Sequence, residues 1–182
     1  MRTLLLGMGN PFLSDDAVGV RLARELKPRL TAHPDLDVVE ECSVGGLNLL
    51  DVLRGYERAI VLDSLQTVGG VAGAWHYFDA GALRETAHLT SLHDANFATA
   101  LELGRRLGMP LPESNDVHIF AVEVEDNVTF SERMSTTLER AFPVYSGAIL
   151  ERVRALLGRE ERPREGSSRR RLPEISVVND PG

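Results

Sequence analysis

Short apolar runs alternate with amphipathic segments along most of the chain. Continuous apolar runs are typical of strands buried on both faces of a parallel sheet. Apolar residues that recur every three or four positions instead predict helices with one buried face. The pattern predicts strands at 3–6, 36–41, 59–63, 74–78 and 117–122, and helices at 14–27, 47–54, 95–107, 131–141 and 143–157.

This alternation predicts an α/β fold with an open, mostly parallel five-stranded sheet and helices on both faces. The connection before the fourth strand is too short for a parallel crossover, which needs roughly a dozen residues, so this strand is predicted to run antiparallel to the third. Ligands of such sheets bind at the carboxyl ends of strands, where the strand order reverses. Asp16 follows the first strand and Asp63 ends the third, so we expect these carboxylates to lie together.

Residues 1–158 are predicted to form a single α/β domain, since a chain of 182 residues is short for two hydrophobic cores. Residues 159–182 are rich in Arg, Glu, Pro, Gly and Ser, which predicts a disordered charged tail. The sequence has no long apolar run and no signal-peptide cleavage pattern. The single cysteine, Cys42, excludes an internal disulfide and fits a reducing compartment, so we expect a cytoplasmic protein without membrane contact.

The turn after the first strand carries part of a phosphate-binding pattern, with Gly7 and Gly9 in place. However, Phe12 stands where a dinucleotide site has its third glycine. Asp15 and Asp16 then open the helix where a phosphate would lie, and two carboxylates repel an anion and attract a cation. The net charge of −7 likewise argues against a nucleic-acid partner. A nucleotide-binding α/β module is kept as an alternative.

Asp63 is the most informative candidate, because a carboxylate directly after a buried strand is costly unless it is solvated, paired or bound to metal. An Asx turn is the alternative for this residue. Asp16 alone could simply be a first-turn acid that stabilises the helix dipole, and His93 alone could be an exposed loop histidine. The motifs Gly-x-Ser-x-Gly and His-Glu-x-x-His do not occur. Cys42 has no base partner in the sequence, which predicts a small core residue.

Several segments together resemble the hydrogenase maturation proteases, which are endopeptidases that trim the C-terminal extension from nickel–iron hydrogenase large subunits. The segments are Leu6–Asn10, Ser14–Gly19, Asp63 and Ser91–His93, and the resemblance covers residues 1 to about 155. It implies a hydrolase of aspartic-type-like character that senses nickel in its substrate and cleaves after nickel insertion. A non-cleaving nickel-docking chaperone is the alternative from another functional class.

In that family the residues at the positions of Asp16, Asp63 and His93 bind a divalent metal. The resemblance therefore implies a metal site of two carboxylates and one imidazole, a donor set that suits nickel or zinc-like ions. Asp16 and Asp63 are also the implied catalytic residues. The metal implied is nickel carried by the substrate, without a tightly bound cofactor of the protein's own.

The resemblance also implies the partner, a nickel–iron hydrogenase large-subunit precursor. It further implies that this protein is a monomer.

The sequence departs from the family pattern at two places. The family commonly has Glu at the position of Asp16, and an Asp-Gly-Gly-Thr-type segment where this chain has 41–46. Glu41 stands close to the family aspartate, so we assign it a supporting role in substrate binding.

Overall fold

The computed structural model describes residues 1–45, 47–82 and 97–158. Five strands form its sheet: β1 Thr3–Met8, β2 Leu36–Cys42, β3 Arg58–Leu65, β4 Trp75–Asp79 and β5 Val117–Glu123. A 3-10 helix, Ser14–Ala17, leads into α1, Val18–Leu26. The other α-helices are α2 Asn48–Leu53, α3 Phe97–Arg106 and α4 Thr136–Leu157, with short 3-10 helices at Lys27–Arg29 and Ser114–Asp116. His93 and the predicted tail at 159–182 lie outside the described residues.

The strand order across the sheet is β2-β1-β3-β5-β4. Neighbouring strands are parallel except β4, which pairs antiparallel with β5. The predicted fold class is therefore confirmed, including the single antiparallel strand. β4 does not pair with β3, which precedes it in the chain, because β5 lies between them. The fully buried β5 is an interior strand between β3 and β4, and the half-buried β4 is an edge strand.

Helices cover both faces of the sheet. On one face, α1 and α4 pack over side chains such as Leu5, Ile60 and Phe120. On the other face, α2 and α3 cover the alternate side chains of the same strands, such as Leu4, Val61 and Ile119. The central strands β1, β3 and β5 are buried along their whole length, which explains their continuous apolar runs.

Three local predictions were wrong. β3 continues beyond Asp63 to Leu65, so this aspartate lies inside the strand and not at its end. Ser14 starts a 3-10 helix, Ser14–Ala17, so the α-helix predicted from residue 14 begins only at Val18. The two helices predicted around Pro143 are one helix, α4, which Ser135 caps by accepting a hydrogen bond from the Leu138 N–H. The helix continues through the proline because its later apolar residues pack into the core against α1 and the sheet.

Among the described residues, none of the helices combines the length and the apolar character that a bilayer crossing requires.

Candidate active site

The strand order reverses between β1 and β3, because the chain leaves β1 for β2 on one side and returns to β3 on the other. Asp63 lies near the carboxyl end of β3, and Asp16 lies in the 3-10 helix that follows β1. Both side chains are nearly inaccessible to solvent, with 2% of Asp63 and 6% of Asp16 exposed. Two carboxylates are thus buried at the carboxyl ends of β1 and β3, where ligands bind to sheets of this kind.

Glycines let the segment that carries Asp16 pack closely against β1 and β3. A Cβ atom on Gly19 would lie 2.2 Å from the Leu62 carbonyl oxygen and 2.4 Å from that of Met8. Gly9 has φ 121°, and a Cβ atom there would lie 1.9 Å from the Asp16 carbonyl oxygen. The glycine pattern therefore serves close packing around a carboxylate, where the sequence alone suggested part of a phosphate cradle.

Ser64 connects the two carboxylates. Its hydroxyl donates a hydrogen bond of 2.9 Å to Asp16 Oδ1, and its backbone N–H donates one of 2.8 Å to Asp63 Oδ1. The Asn10 N–H donates to Asp16 Oδ2 at 2.7 Å. Sequence reasoning missed both Ser64 and Asn10. The available signal was a hydroxyl residue directly after the strand aspartate, and this becomes informative only once Asp16 is placed beside it.

Burial dominates the electrostatics of the pair. The pKa of Asp63 is raised to about 8, chiefly by burial and to a lesser extent by the negative charge of Asp16, while the hydrogen bond from the Ser64 N–H opposes the shift. Burial also raises the pKa of the Cys42 thiol, with a smaller contribution from the charge of Asp63. The thiol therefore stays protonated at neutral pH, in keeping with the predicted core residue.

Asp16 and Asp63 offer carboxylate oxygens that are already oriented by hydrogen bonds, as metal-binding carboxylates commonly are. Over residues 1–45, 47–82 and 97–158, no set of three or more His, Cys, Asp or Glu side chains is grouped so that it could hold a metal ion. For a metal ion held by this pair, a third protein ligand would have to come from outside the described residues. His93, the predicted third ligand, lies outside the described residues, so its place beside the pair stays a prediction.

Glu41 lies on β2 with its side chain exposed to solvent. Its Oε2 atom accepts a hydrogen bond of 3.0 Å from an Arg24 guanidinium N–H, which links β2 to α1. Nothing among these contacts connects Glu41 with Asp16 or Asp63. Its role in substrate binding stays a prediction.

Asp15 and Asp16 are adjacent in sequence but serve different purposes. Asp15 is fully buried, and its Oδ1 accepts a hydrogen bond of 2.6 Å from the Ser135 N–H. Its Oδ2 accepts from the N–H groups of Asp126 at 3.1 Å and Glu125 at 3.3 Å. Asp15 therefore fixes the loop between β5 and α4, and only Asp16 faces Ser64.

This architecture matches solved structures of known enzymes. The hydrogenase maturating endopeptidase HybD from Escherichia coli aligns with a TM-score of 0.68 at 22% identity, covering 88% of this chain and 94% of that one. The chain has the fold of the hydrogenase maturation proteases. The [NiFe] hydrogenase maturation protease HybD from Thermococcus kodakarensis aligns with a TM-score of 0.66 at 20% identity, covering 86% of this chain and 99% of that one.

A sequence relative points to the same group. The Hydrogenase 2 maturation protease of Escherichia coli (strain K12) is 34% identical over 65 residues. That alignment spans 36% of this chain and 39% of the relative. No family model matches the chain. The resemblance to the hydrogenase maturation proteases that the sequence motifs indicated is thus confirmed.

Proposed function

We propose that this protein is an endopeptidase that removes the C-terminal extension from a nickel–iron hydrogenase large-subunit precursor after nickel insertion. The observation that carries the proposal is the buried pair Asp16 and Asp63, joined by Ser64 at the switch point of the sheet. The fold shared with hydrogenase maturation proteases supports the same activity. The proposal includes that the protein acts as a monomer in the cytoplasm.

Nickel enters this reaction as part of the substrate, and the protein needs no tightly bound cofactor of its own. Asp16, Asp63 and His93 are the residues that recognise it. Carboxylate oxygen and imidazole nitrogen suit nickel, and three protein ligands leave coordination positions for the precursor's own donors. A precursor without nickel lacks this anchor, so the protease distinguishes the two forms of its substrate.

Peptide hydrolysis requires a group that activates water and a group that polarises the scissile carbonyl. The raised pKa of Asp63 keeps a proton on this carboxyl near neutral pH when no cation is close. Asp16 and Asp63 bring two carboxyl groups into one buried site, which is the basis for the aspartic-type-like character we propose. Asp16, Asp63 and His93 would hold the nickel ion of the substrate, and the ion would supply Lewis-acid polarisation of the scissile carbonyl.

A nucleotide-binding role is disfavoured because a backbone N–H group of the turn after β1 is already hydrogen-bonded to a carboxylate. The Asn10 N–H, which stands where a phosphate cradle would present its donors, is bonded to Asp16 Oδ2 at 2.7 Å. Asp16 and Asp63 are buried at the same edge of the sheet and would repel a phosphate. The site therefore favours a cation over a nucleotide.

The deciding experiment is a cleavage assay on the unprocessed large subunit from the same organism, with and without nickel loaded. We expect the wild-type chain to release a C-terminal peptide only from the nickel-loaded form, and Asp16→Ala and His93→Ala to release none. Asp51→Ala, which changes an exposed acid on α2, serves as the matched control. Nickel-dependent binding without cleavage would instead establish a docking chaperone. The absence of both binding and cleavage would overturn the proposed function.

A further inference from the structure

Two exposed phenylalanine rings stack on each other beside the candidate active site. Phe12 follows the turn after β1, and Phe130 lies in the loop between β5 and α4. Their ring centroids are 6.2 Å apart and their planes differ by 11°, while 47% of Phe12 and 81% of Phe130 stay exposed. Val128, in the same loop as Phe130, is 79% exposed. Contiguous exposed apolar groups of this kind commonly mark interaction sites.

Backbone hydrogen bonds hold the two segments together and so fix the rings. Leu13 and Ser131 form a parallel bridge between the segments. The Ser131 N–H donates to the Phe12 carbonyl at 2.9 Å, and the Ser14 N–H donates to the Ser131 carbonyl at 2.9 Å. Since the backbone on both sides is already ordered, a partner that covers the rings loses little affinity to loop ordering.

The same segments are tied to the buried carboxylates. Asn10 accepts a hydrogen bond of 3.0 Å from the Phe12 N–H through its side chain, and its own N–H binds Asp16. On the other segment, the Asp126 N–H binds Asp15. The rings are therefore held at a fixed offset from Asp16, as a surface that positions a substrate over the site would require.

The loop that carries Phe130 is mainly acidic in sequence. Between β5 and α4 it contains Glu125, Asp126 and Glu132, against one basic residue, Arg133. The complementary surface on a partner is an apolar side chain surrounded by lysine or arginine residues.

We infer that Phe12 and Phe130 form a docking surface for the folded body of the large-subunit precursor, which contributes an apolar side chain with basic neighbours. The inference rests on the proposed function and adds to it a contact away from the scissile bond. Aromatic groups at the centre of an interface commonly carry a large share of the binding free energy. The surface would thus position the precursor while Asp16 and Asp63 act on its C-terminal segment.

The test compares the wild-type chain with the double variant Phe12→Ser/Phe130→Ser on the nickel-loaded precursor. Binding is measured by biolayer interferometry, and cleavage by steady-state kinetics. Leu107→Ser is the matched control, because Leu107 is 74% exposed and follows α3, which packs on the opposite face of the sheet. We expect the double variant to bind about tenfold more weakly or worse. Its KM should rise while kcat is retained, and the control should match the wild type.

The outcomes separate this inference from the proposed function. Cleavage and binding by the double variant at wild-type levels would overturn the docking surface and leave the protease in place. Precursor binding without cleavage by the wild type, weakened in the double variant, would support the surface and overturn the protease. A wild type that neither binds nor cleaves would overturn both. A wild-type dimer that the double substitution converts to monomer in sedimentation velocity would make the surface a self-association interface and overturn the inference.

Discussion

The Ser64 hydroxyl donates a hydrogen bond of 2.9 Å to Asp16 Oδ1, across 48 positions of sequence. Because the Ser64 N–H also bonds Asp63 Oδ1, one residue orients both buried carboxylates. Each carboxylate thus has a defined rotamer before any substrate arrives, which lowers the cost of assembling a metal-binding or catalytic arrangement.

We therefore expect Ser64→Ala to impair the proposed cleavage reaction without unfolding the protein. The substitution removes the hydroxyl but keeps the backbone donor to Asp63, so Asp16 loses one of the hydrogen bonds that orient it. Loss of such a supporting contact lowers activity roughly 10- to 100-fold. The measurement is kcat/KM on the nickel-loaded precursor together with thermal unfolding. Ser64→Thr, which keeps a hydroxyl, should restore part of the activity, and a Ser64→Ala variant with wild-type kinetics would contradict the assigned role.

Gly19→Ala is expected to destabilise the fold at the base of the site. The added methyl group would meet the carbonyl oxygens of Leu62 and Met8, which are backbone atoms in two central strands and cannot move aside cheaply. Overpacking of this kind costs about 1–3 kcal/mol. Urea unfolding measures the loss.

Gly147→Ala is the matched control, because Gly147 lies within α4 and a Cβ atom there meets nothing within 4 Å. Replacing glycine by alanine inside a helix usually stabilises by about 0.5–1 kcal/mol. Opposite signs for these two substitutions are the expected result. Equal effects would show that close approach at Gly19 does not constrain the fold.

The raised pKa of Asp63 predicts how stability depends on pH in the absence of nickel. The folded protein holds the Asp63 proton more tightly than the unfolded chain, whose ordinary pKa is 3.8, so this stabilisation is complete in acid. It is lost as the pH rises from about 4 through the folded value of about 8. Asp63→Asn lacks this titration. Its free energy of unfolding, relative to the wild type, should therefore increase between about pH 4 and pH 8 and then level off.

Urea unfolding of both proteins at several pH values measures this difference. The comparison cancels the contributions of Asp126 and Glu40, whose pKa values are lowered by hydrogen bonds and which therefore act in the opposite sense, in acid. A difference between the two proteins that does not change with pH would show that Asp63 titrates normally in the folded chain.

The sequence predicted the juxtaposition of Asp16 and Asp63 because it follows from general rules. Apolar runs identify buried parallel strands, and the carboxyl ends of such strands share one edge of the sheet. The continuity of α4 through Pro143 was not predictable in this way, since local propensity favours a break there and only packing against the core overrides it.

The different contacts of Asp15 and Asp16 could not be predicted from the sequence either. Successive residues in a 3-10 helix point about 120° apart, so neighbouring side chains face different surroundings. Which of them faces Ser64 depends on where the helix sits against the sheet. Hydrophobic periodicity carries no information on this choice, because both residues are polar.

Asp15 gives the last prediction, which concerns the loop that carries Phe130. Its carboxylate accepts hydrogen bonds from three backbone N–H groups, those of Glu125, Asp126 and Ser135. Asp15→Asn replaces one acceptor oxygen by an NH2 group, so a donor then faces a donor in a fully buried site. Unpaired buried groups of this kind cost about 1–3 kcal/mol each.

We therefore expect Asp15→Asn to lower the free energy of unfolding and to speed hydrogen exchange at the amides of residues 125, 126 and 135. Asp16→Asn is the neighbouring control: it changes the same chemical group one position on, and those three amides should keep their protection. Exchange measured by NMR on both variants distinguishes the two positions. Unchanged protection in Asp15→Asn would mean that the loop is held by its own turn and by the bridge at Ser131. The buried Asp15 carboxylate would then contribute little to fixing the docking surface of Phe12 and Phe130.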